Sequence, residues 1–234
     1  MSSSTHFQQN SIEAVIFDMD GLLIDTEKHA RRAWRQAADA MSLNITDDQL
    51  ANLVGRHVED CLDILGEALN LDLRELHFLE RVDDIYYSNF MRYGIDVKAG
   101  VTELLDALTQ ANTPLAVATS SEREVAPRKL RLAGIEHYFP LIVSGCEVPK
   151  SKPAPDIFLL TAQRLGIEPA KCLVLEDSYT GVRGAKAAGM SVFMIPDQLP
   201  PTSEMLEISD GIYDSVSDAT STILEALKHS RFSQ

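Results

Sequence analysis

The stretch FDMDGLLIDTE, Phe17 to Glu27, sets two aspartates a single residue apart where the apolar run Ala14 to Phe17 meets a glycine. A short apolar run closed by polar residues and glycine reads as a buried strand. Side chains at i and i+2 of an extended segment project to one side, so Asp18 and Asp20 point together and Met19 points away. Gly21 permits a backbone conformation that a side chain would obstruct. Two such carboxylates repel unless one is protonated or a cation lies between them. A bare pair of this kind is more often a helix cap or a solvated turn, so the rest of the chain decides.

Working outward, short apolar runs recur at Leu115 to Ala118, Leu141 to Val143, Leu173 to Leu175 and Val192 to Ile195. Helical spacing lies between them: Val101 to Gln110, with Leu104, Leu105 and Leu108 on one side, then Asp156 to Leu165 closed by Gly166, and Thr180 to Ala188 closed by Gly189. Strands alternating with helices predict an α/β fold, a Rossmann-like doubly wound parallel sheet covered on both faces. Lys28 to Tyr93 break the alternation. Ala30, Ala33, Trp34, Ala37, Ala38 and Met41 keep helical spacing, as do Leu76, Leu79, Val82, Tyr86 and Phe90 later, and Thr46 with Gln49 matches a capping box. So long an interval is better filled by an inserted α-helical domain than by a structureless loop. The expected organisation is a core over 12–27 and 97–234, a helical insert over 28–96 and a flexible tail over 1–11. Trp34, on the apolar side of its helix, is expected to pack in a core, and Lys28, Arg31, Arg32 and Arg35 to form a solvated face.

The 234 residues are 45% hydrophobic, enough for a sizeable core, and carry a net charge of −14. That charge repels nucleic-acid phosphates and anionic lipid surfaces, so neither nucleic acid nor membrane is an expected partner, and a phosphate-bearing ligand needs local positive charge or a metal. Cys61, Cys146 and Cys172 form no C-x-x-C pair, which suggests neither a disulfide framework nor a zinc site and fits a reducing cytoplasm. The polar N-terminus has no signal-peptide character, and no run approaches the ~18 apolar residues of a membrane span. A soluble cytoplasmic protein is expected, and a monomer, since no extra apolar stripe demands a partner.

In open α/β sheets ligands bind beyond the carboxyl ends of the strands, where Asp18 and Asp20 sit. The segment LVLEDSYTG, Leu173 to Gly181, repeats the arrangement, with Glu176 and Asp177 following another apolar strand. Several carboxylates converging at one sheet edge call for a divalent cation, and Mg²⁺ suits one or two carboxylates, a backbone carbonyl, waters and a substrate phosphate. LAVATSS ends a strand at Thr119, Ser120 and Ser121, whose hydroxyls, with the first amides of a following helix, could hold an anion. KSKPAPDIF carries Lys150 and Lys152 in a loop stiffened by Pro153 and Pro155.

In conjunction these segments resemble the haloacid dehalogenase superfamily of phosphohydrolases over nearly the whole chain: DMDG at Asp18 to Gly21, the strand-ending Thr119, Lys152 in SKP, and the pair Glu176 and Asp177. The insert resembles the branch with a small helical cap, which includes sugar-phosphate phosphatases, phosphoglycolate phosphatases and β-phosphoglucomutase. The resemblance implies that Asp18 is the nucleophile, that Asp20 is the acid and base, and that Mg²⁺ is held by Asp18, the Asp20 carbonyl and Asp177, with Glu176 close behind. It implies that Lys152 shields the anionic nucleophile from the anionic phosphate and that Thr119 and Ser120 bind the phosphoryl group. The cap is expected to close on substrate about hinges near Thr26 to Lys28 and Ile95 to Ala99. The substrate is then a small phosphorylated metabolite, and Glu27, Arg56 and His57 are candidates for recognising it. Residues that handle the sugar phosphate in β-phosphoglucomutase fall, without gaps, at Val58, Val82 and Ala30, which cannot do those jobs. A phosphatase is therefore favoured over a mutase, although His29 and Arg56 lie one and two positions from such matches. A non-catalytic binding protein is disfavoured, because it needs no nucleophile with a proton shuttle beside it.

Overall fold

The four residues of β1 (Ala14–Phe17) are apolar and all buried, as a strand covered on both faces must be. The computed structural model describes residues 11–53 and 58–231. Most of the expected tail, together with Arg56 and His57, lies outside them. After β1 come four helices, α1 (Glu27–Ala40), α2 (Asp47–Ala51), α3 (Val58–Leu69) and α4 (Phe78–Tyr93). The alternating part follows: α5 (Val101–Gln110), β2 (Leu115–Thr119), α6 (Val125–Leu132), β3 (Leu141–Ser144), α7 (Asp156–Leu165), β4 (Cys172–Glu176), α8 (Tyr179–Ala187), β5 (Ser191–Met194), α9 (Ser203–Ile208), β6 (Gly211–Ile212) and α10 (Val216–Arg231).

The strands form one parallel sheet in the order β3-β2-β1-β4-β5-β6. The chain leaves β1 toward β2 and β3 on one side and returns to β4 on the other, so the strand order reverses at β1, where open α/β sheets place their ligands. Phe17 pairs with Val117 on one side and with Leu175 on the other. That register brings Asp18, Ala118 and Glu176, each one residue further on, to the same level. The core on this sheet includes Ile16, Val174 and Val192 from the strands, Phe158 from α7, and Val182 and Ala185 from α8.

The chain divides into two compact units, one running to Ile24 and resuming at Asp96, the other spanning Asp25–Ile95. The helical unit thus begins a few residues before the expected 28 and includes Glu27, because α1 already starts there. Its own core gathers Ala33 and Ala37 of α1, Leu62 and Leu65 of α3, and Phe78 and Val82 of α4. Trp34 packs edge-on to Phe78 with ring centroids 5.5 Å apart, the expected core role. Thr46 and Gln49 make the capping box that opens α2, with bonds of 2.8 and 3.2 Å. The basic stripe is not uniform. Lys28, Arg31 and Arg32 are exposed, but Arg35 is half-buried and bonds the Ile45 carbonyl and Asp47, fastening α1 to the start of α2. No helix among the described residues is long and apolar enough to cross a membrane.

Candidate active site

Beyond β1 the chain turns back on itself. The Asp18 amide donates to the Leu175 carbonyl at 3.0 Å, the last step of the β1–β4 ladder, and the Gly21 amide donates to the Ile24 carbonyl at 3.0 Å to close a tight turn. Gly21 has φ +87°, and a Cβ there would stand 2.3 Å from Oδ2 of Asp177. Glycine is required both by the left-handed backbone and by the carboxylate that passes against it.

Lys152, from the loop before α7, lies across the ends of three strands. Its Nζ donates to Oδ1 of Asp18 at 2.5 Å, to Oε1 of Glu176 at 2.6 Å and to the Ala118 carbonyl at 3.0 Å. These are the residues that the register brings level at the ends of β1, β4 and β2. An ammonium has three protons, and three acceptors converge on it. Glu176 is fully buried, and its second oxygen, Oε2, accepts from the Ser178 amide at 3.0 Å and the Ser178 hydroxyl at 2.9 Å. The same hydroxyl accepts the Gly181 amide at 3.0 Å and so caps α8. A Cβ on Gly181 would fall 1.8 Å from the Glu176 carboxyl carbon, so the first turn of α8 can lie over Glu176 only with glycine there.

Three carboxylates, Asp18, Glu176 and Asp177, present oxygens within 4.8 Å of one another. Burial pushes Asp18 up to about 7; Lys152 pulls against this, while Glu176 and Asp20 add to it. Asp177 is held well above the usual carboxylate range by burial and by the charges of Asp18 and Glu176. Burial draws the Lys152 ammonium down, but Asp18 and Glu176 outweigh it and hold the group above the ordinary lysine range. One buried cation is thus too few for the acids around it. Glu176 is committed to Lys152 and Ser178, whereas the Asp177 carboxylate accepts no hydrogen bond among the described residues. Asp18 and Asp177 therefore suit a hard divalent cation, which would supply the missing positive charge.

Asp20 is anchored separately. Its Oδ2 accepts the Ser121 hydroxyl at 2.8 Å and its Oδ1 accepts Nζ of Lys129 at 2.7 Å. Thr119 is buried at the end of β2, and its Oγ1 accepts the Ser121 amide at 3.1 Å. Ser120 is exposed and α6 begins only at Val125, so the hydroxyls of the 119–121 segment stand on a loop rather than on the expected helix N-terminus. The Thr119–Ser121 bond explains the delay, because a side chain that takes the amide two residues on competes with helix initiation. Lys150 is exposed. Lys129 was not singled out by sequence reasoning. Its one visible signal is that it shares the i, i+3, i+4 face of Ala126 and Leu130, where an apolar residue is the norm. Further along the sheet edge, Asp197 after β5 pairs with Lys98 at 2.5 Å and with Gln198 at 3.0 Å.

In the helical unit, Glu27 is half-buried, His29 is buried with its ring 5.1 Å from that of Phe90, and Val82 is buried in the apolar core.

The chain is similar to known proteins in sequence and fold. The family model described as haloacid dehalogenase-like hydrolase matches residues 15–195. A phosphorylated carbohydrates phosphatase of Thermotoga maritima is 37% identical over 179 residues, covering 76% of this chain and 82% of that protein. A beta-phosphoglucomutase of Bacillus subtilis is 34% identical over 187 residues, covering 76% of this chain and 81% of the other. A crystal structure of a Thermotoga maritima protein superposes with a TM-score of 0.81 at 33% identity, over 92% of this chain and 99% of that one. With the matched region reaching from β1 through β5, and so through Asp18, Asp20, Lys129, Lys152, Glu176 and Asp177, the chain belongs to the haloacid dehalogenase-like hydrolases.

Proposed function

We propose that the protein is a Mg²⁺-dependent phosphatase that hydrolyses a small phosphomonoester, a sugar phosphate or related metabolite, through an aspartyl-phosphate. The observation that carries this reading is the convergence of Asp18, Lys152, Glu176 and Asp177 at the strand-order reversal, with a surplus of negative charge that a divalent metal would offset before an anionic phosphate enters. Asp18 and Asp177, with the Asp20 carbonyl, are the groups that would hold Mg²⁺, which when bound offsets the charge of the phosphoryl group and its nucleophile.

The chain's own residues then act in two steps. An oxygen of Asp18 bonds to phosphorus as the bond to the ester oxygen breaks, and Asp20 gives its proton to the departing alkoxide. Next Asp20 takes a proton from water, the water oxygen bonds to phosphorus, and the acyl-phosphate bond breaks to release phosphate and regenerate Asp18. Lys152 holds Asp18 in place throughout, and Thr119 and Ser120 are assigned to the phosphoryl oxygens. Glu27, Arg56 and His57 are assigned to substrate choice.

The beta-phosphoglucomutase relative supports a second reading, in which the phosphoryl group returns to a sugar. Val82, buried in an apolar core, and Ala30 have no polar atoms with which to handle one, and they favour hydrolysis. Phosphate release from a panel of phosphorylated metabolites, with Mg²⁺ and with chelator, separates the two when conversion of β-glucose 1-phosphate to glucose 6-phosphate is followed in parallel. Metal-dependent release is the expected result. Conversion without release would make the protein a mutase, and neither would remove the reading.

A further inference from the structure

Burying an ammonium costs several kcal/mol unless charge and hydrogen bonds compensate it, yet α6 turns Lys129 inward with Ala126 and Leu130. The Lys129 side chain is 8% exposed and its Nζ lies 2.7 Å from Oδ1 of Asp20, 109 residues away in the chain. Nζ is also 3.4 Å from the hydroxyl of Ser121, which donates to the other oxygen of Asp20 at 2.8 Å. Ser121 is itself fixed through its amide to Thr119. The two aspartates of the opening motif are therefore served by different lysines on different elements: Asp18 by Lys152, Asp20 by Lys129.

We propose that Lys129 is a positioning residue for proton transfer, holding the Asp20 carboxylate with Ser121 so that the transferable proton resides on one chosen oxygen. The inference rests on the phosphatase reading, in which Asp20 is the acid and base. An ammonium donates hydrogen bonds and cannot accept one, so the oxygen facing Lys129, Oδ1, is kept unprotonated. A hydroxyl both donates and accepts. Ser121 can therefore donate to Oδ2 when Asp20 is ionised and turn away, or accept, when Oδ2 carries the proton. In the first step the O–H bond at Oδ2 breaks as the proton passes to the alkoxide; in the second Oδ2 receives a proton from water. Lys129 changes no bond in either step.

The test compares wild type with Lys129→Met, Lys129→Arg and Ser121→Ala on p-nitrophenyl phosphate and on whichever sugar phosphate of the panel is turned over, alongside crystal structures. Because p-nitrophenolate leaves without a proton, Lys129→Met should lower kcat/KM for the sugar phosphate by about 10- to 100-fold, and for p-nitrophenyl phosphate by much less. Lys129→Arg should recover part of the loss, and in crystals of Lys129→Met the Asp20 carboxylate should leave its observed place. Equal losses on both substrates, or an unmoved Asp20 carboxylate, would overturn the proposal. Should Lys129→Met fail to fold, Ser121→Ala tests the same hold: a fall in kcat/KM confined to the sugar phosphate is expected, and wild-type values would overturn it. A wild-type enzyme that turns over nothing would defeat the phosphatase reading, while the position of Asp20 in Lys129→Met would still decide the role of Lys129.

Discussion

Lys152 pairs with Asp18 and Glu176 at once, and both carboxylates are nearly inaccessible to water. Replacing it with Met leaves two buried acids without their cation, which should cost about 3–5 kcal/mol in urea unfolding as well as activity. Asp18→Asn should instead leave the fold intact and lower phosphate release by at least about 10³-fold. The same variant reports on pH. The Asp18 carboxyl is raised to about 7 in the folded state, so its contribution to stability is full below the ordinary carboxylate range of about 4 and is lost as pH rises toward 7. Thermal melts in chelator should therefore show Asp18→Asn gaining on wild type as pH rises through that window. Added Mg²⁺ should stabilise wild type more at pH 8 than at pH 5, and an unchanged difference would show that Asp18 does not titrate there. Asp18, Asp20, Lys152, Glu176 and Asp177 were legible because each sits at or just beyond a strand end or in a proline-stiffened loop, places where sequence pattern alone marks chemistry. Lys129 was not, because RKLRL reads as an ordinary basic helix until the fold carries Asp20 to it.

At the scale of elements, α8 must start directly over a buried carboxylate, and Gly181 is what lets it. Gly181→Ala would drive a methyl group into Glu176. Overpacking of this kind costs about 1–3 kcal/mol, and because Glu176 holds Lys152, kcat should fall with stability. A variant as active as wild type would mean that Glu176 can move without consequence. Helices with clean apolar periodicity and a glycine or polar stop were readable to the residue, as α5 and α7 show. Elements governed by local side-chain bonds or by edge position were not. The start of α6 is delayed by Thr119, and β6, two half-buried residues at the sheet edge, is too short to carry any period.

For the molecule as a whole, the sheet grades from centre to edge. Every residue of β1, β2, β4 and β5 is buried, whereas β6 is half-buried and pairs on one side only. Native-state hydrogen exchange should accordingly be slowest in β1 and β4 and fastest in β6, and uniform protection would contradict that gradient. At the site two lysines, Lys152 and Lys129, meet three carboxylates, Asp18, Asp20 and Glu176. The ammonium of Lys152 touches the ends of β1, β2 and β4, drawn from residues 14–17, 115–119 and 172–176. Contacts so distant along the chain form late, since loop-closure entropy must be overcome before they can stabilise anything. Catalytic competence therefore works as a clock on refolding: helical signal returns early, and turnover only when the last of three remote strands has found its register.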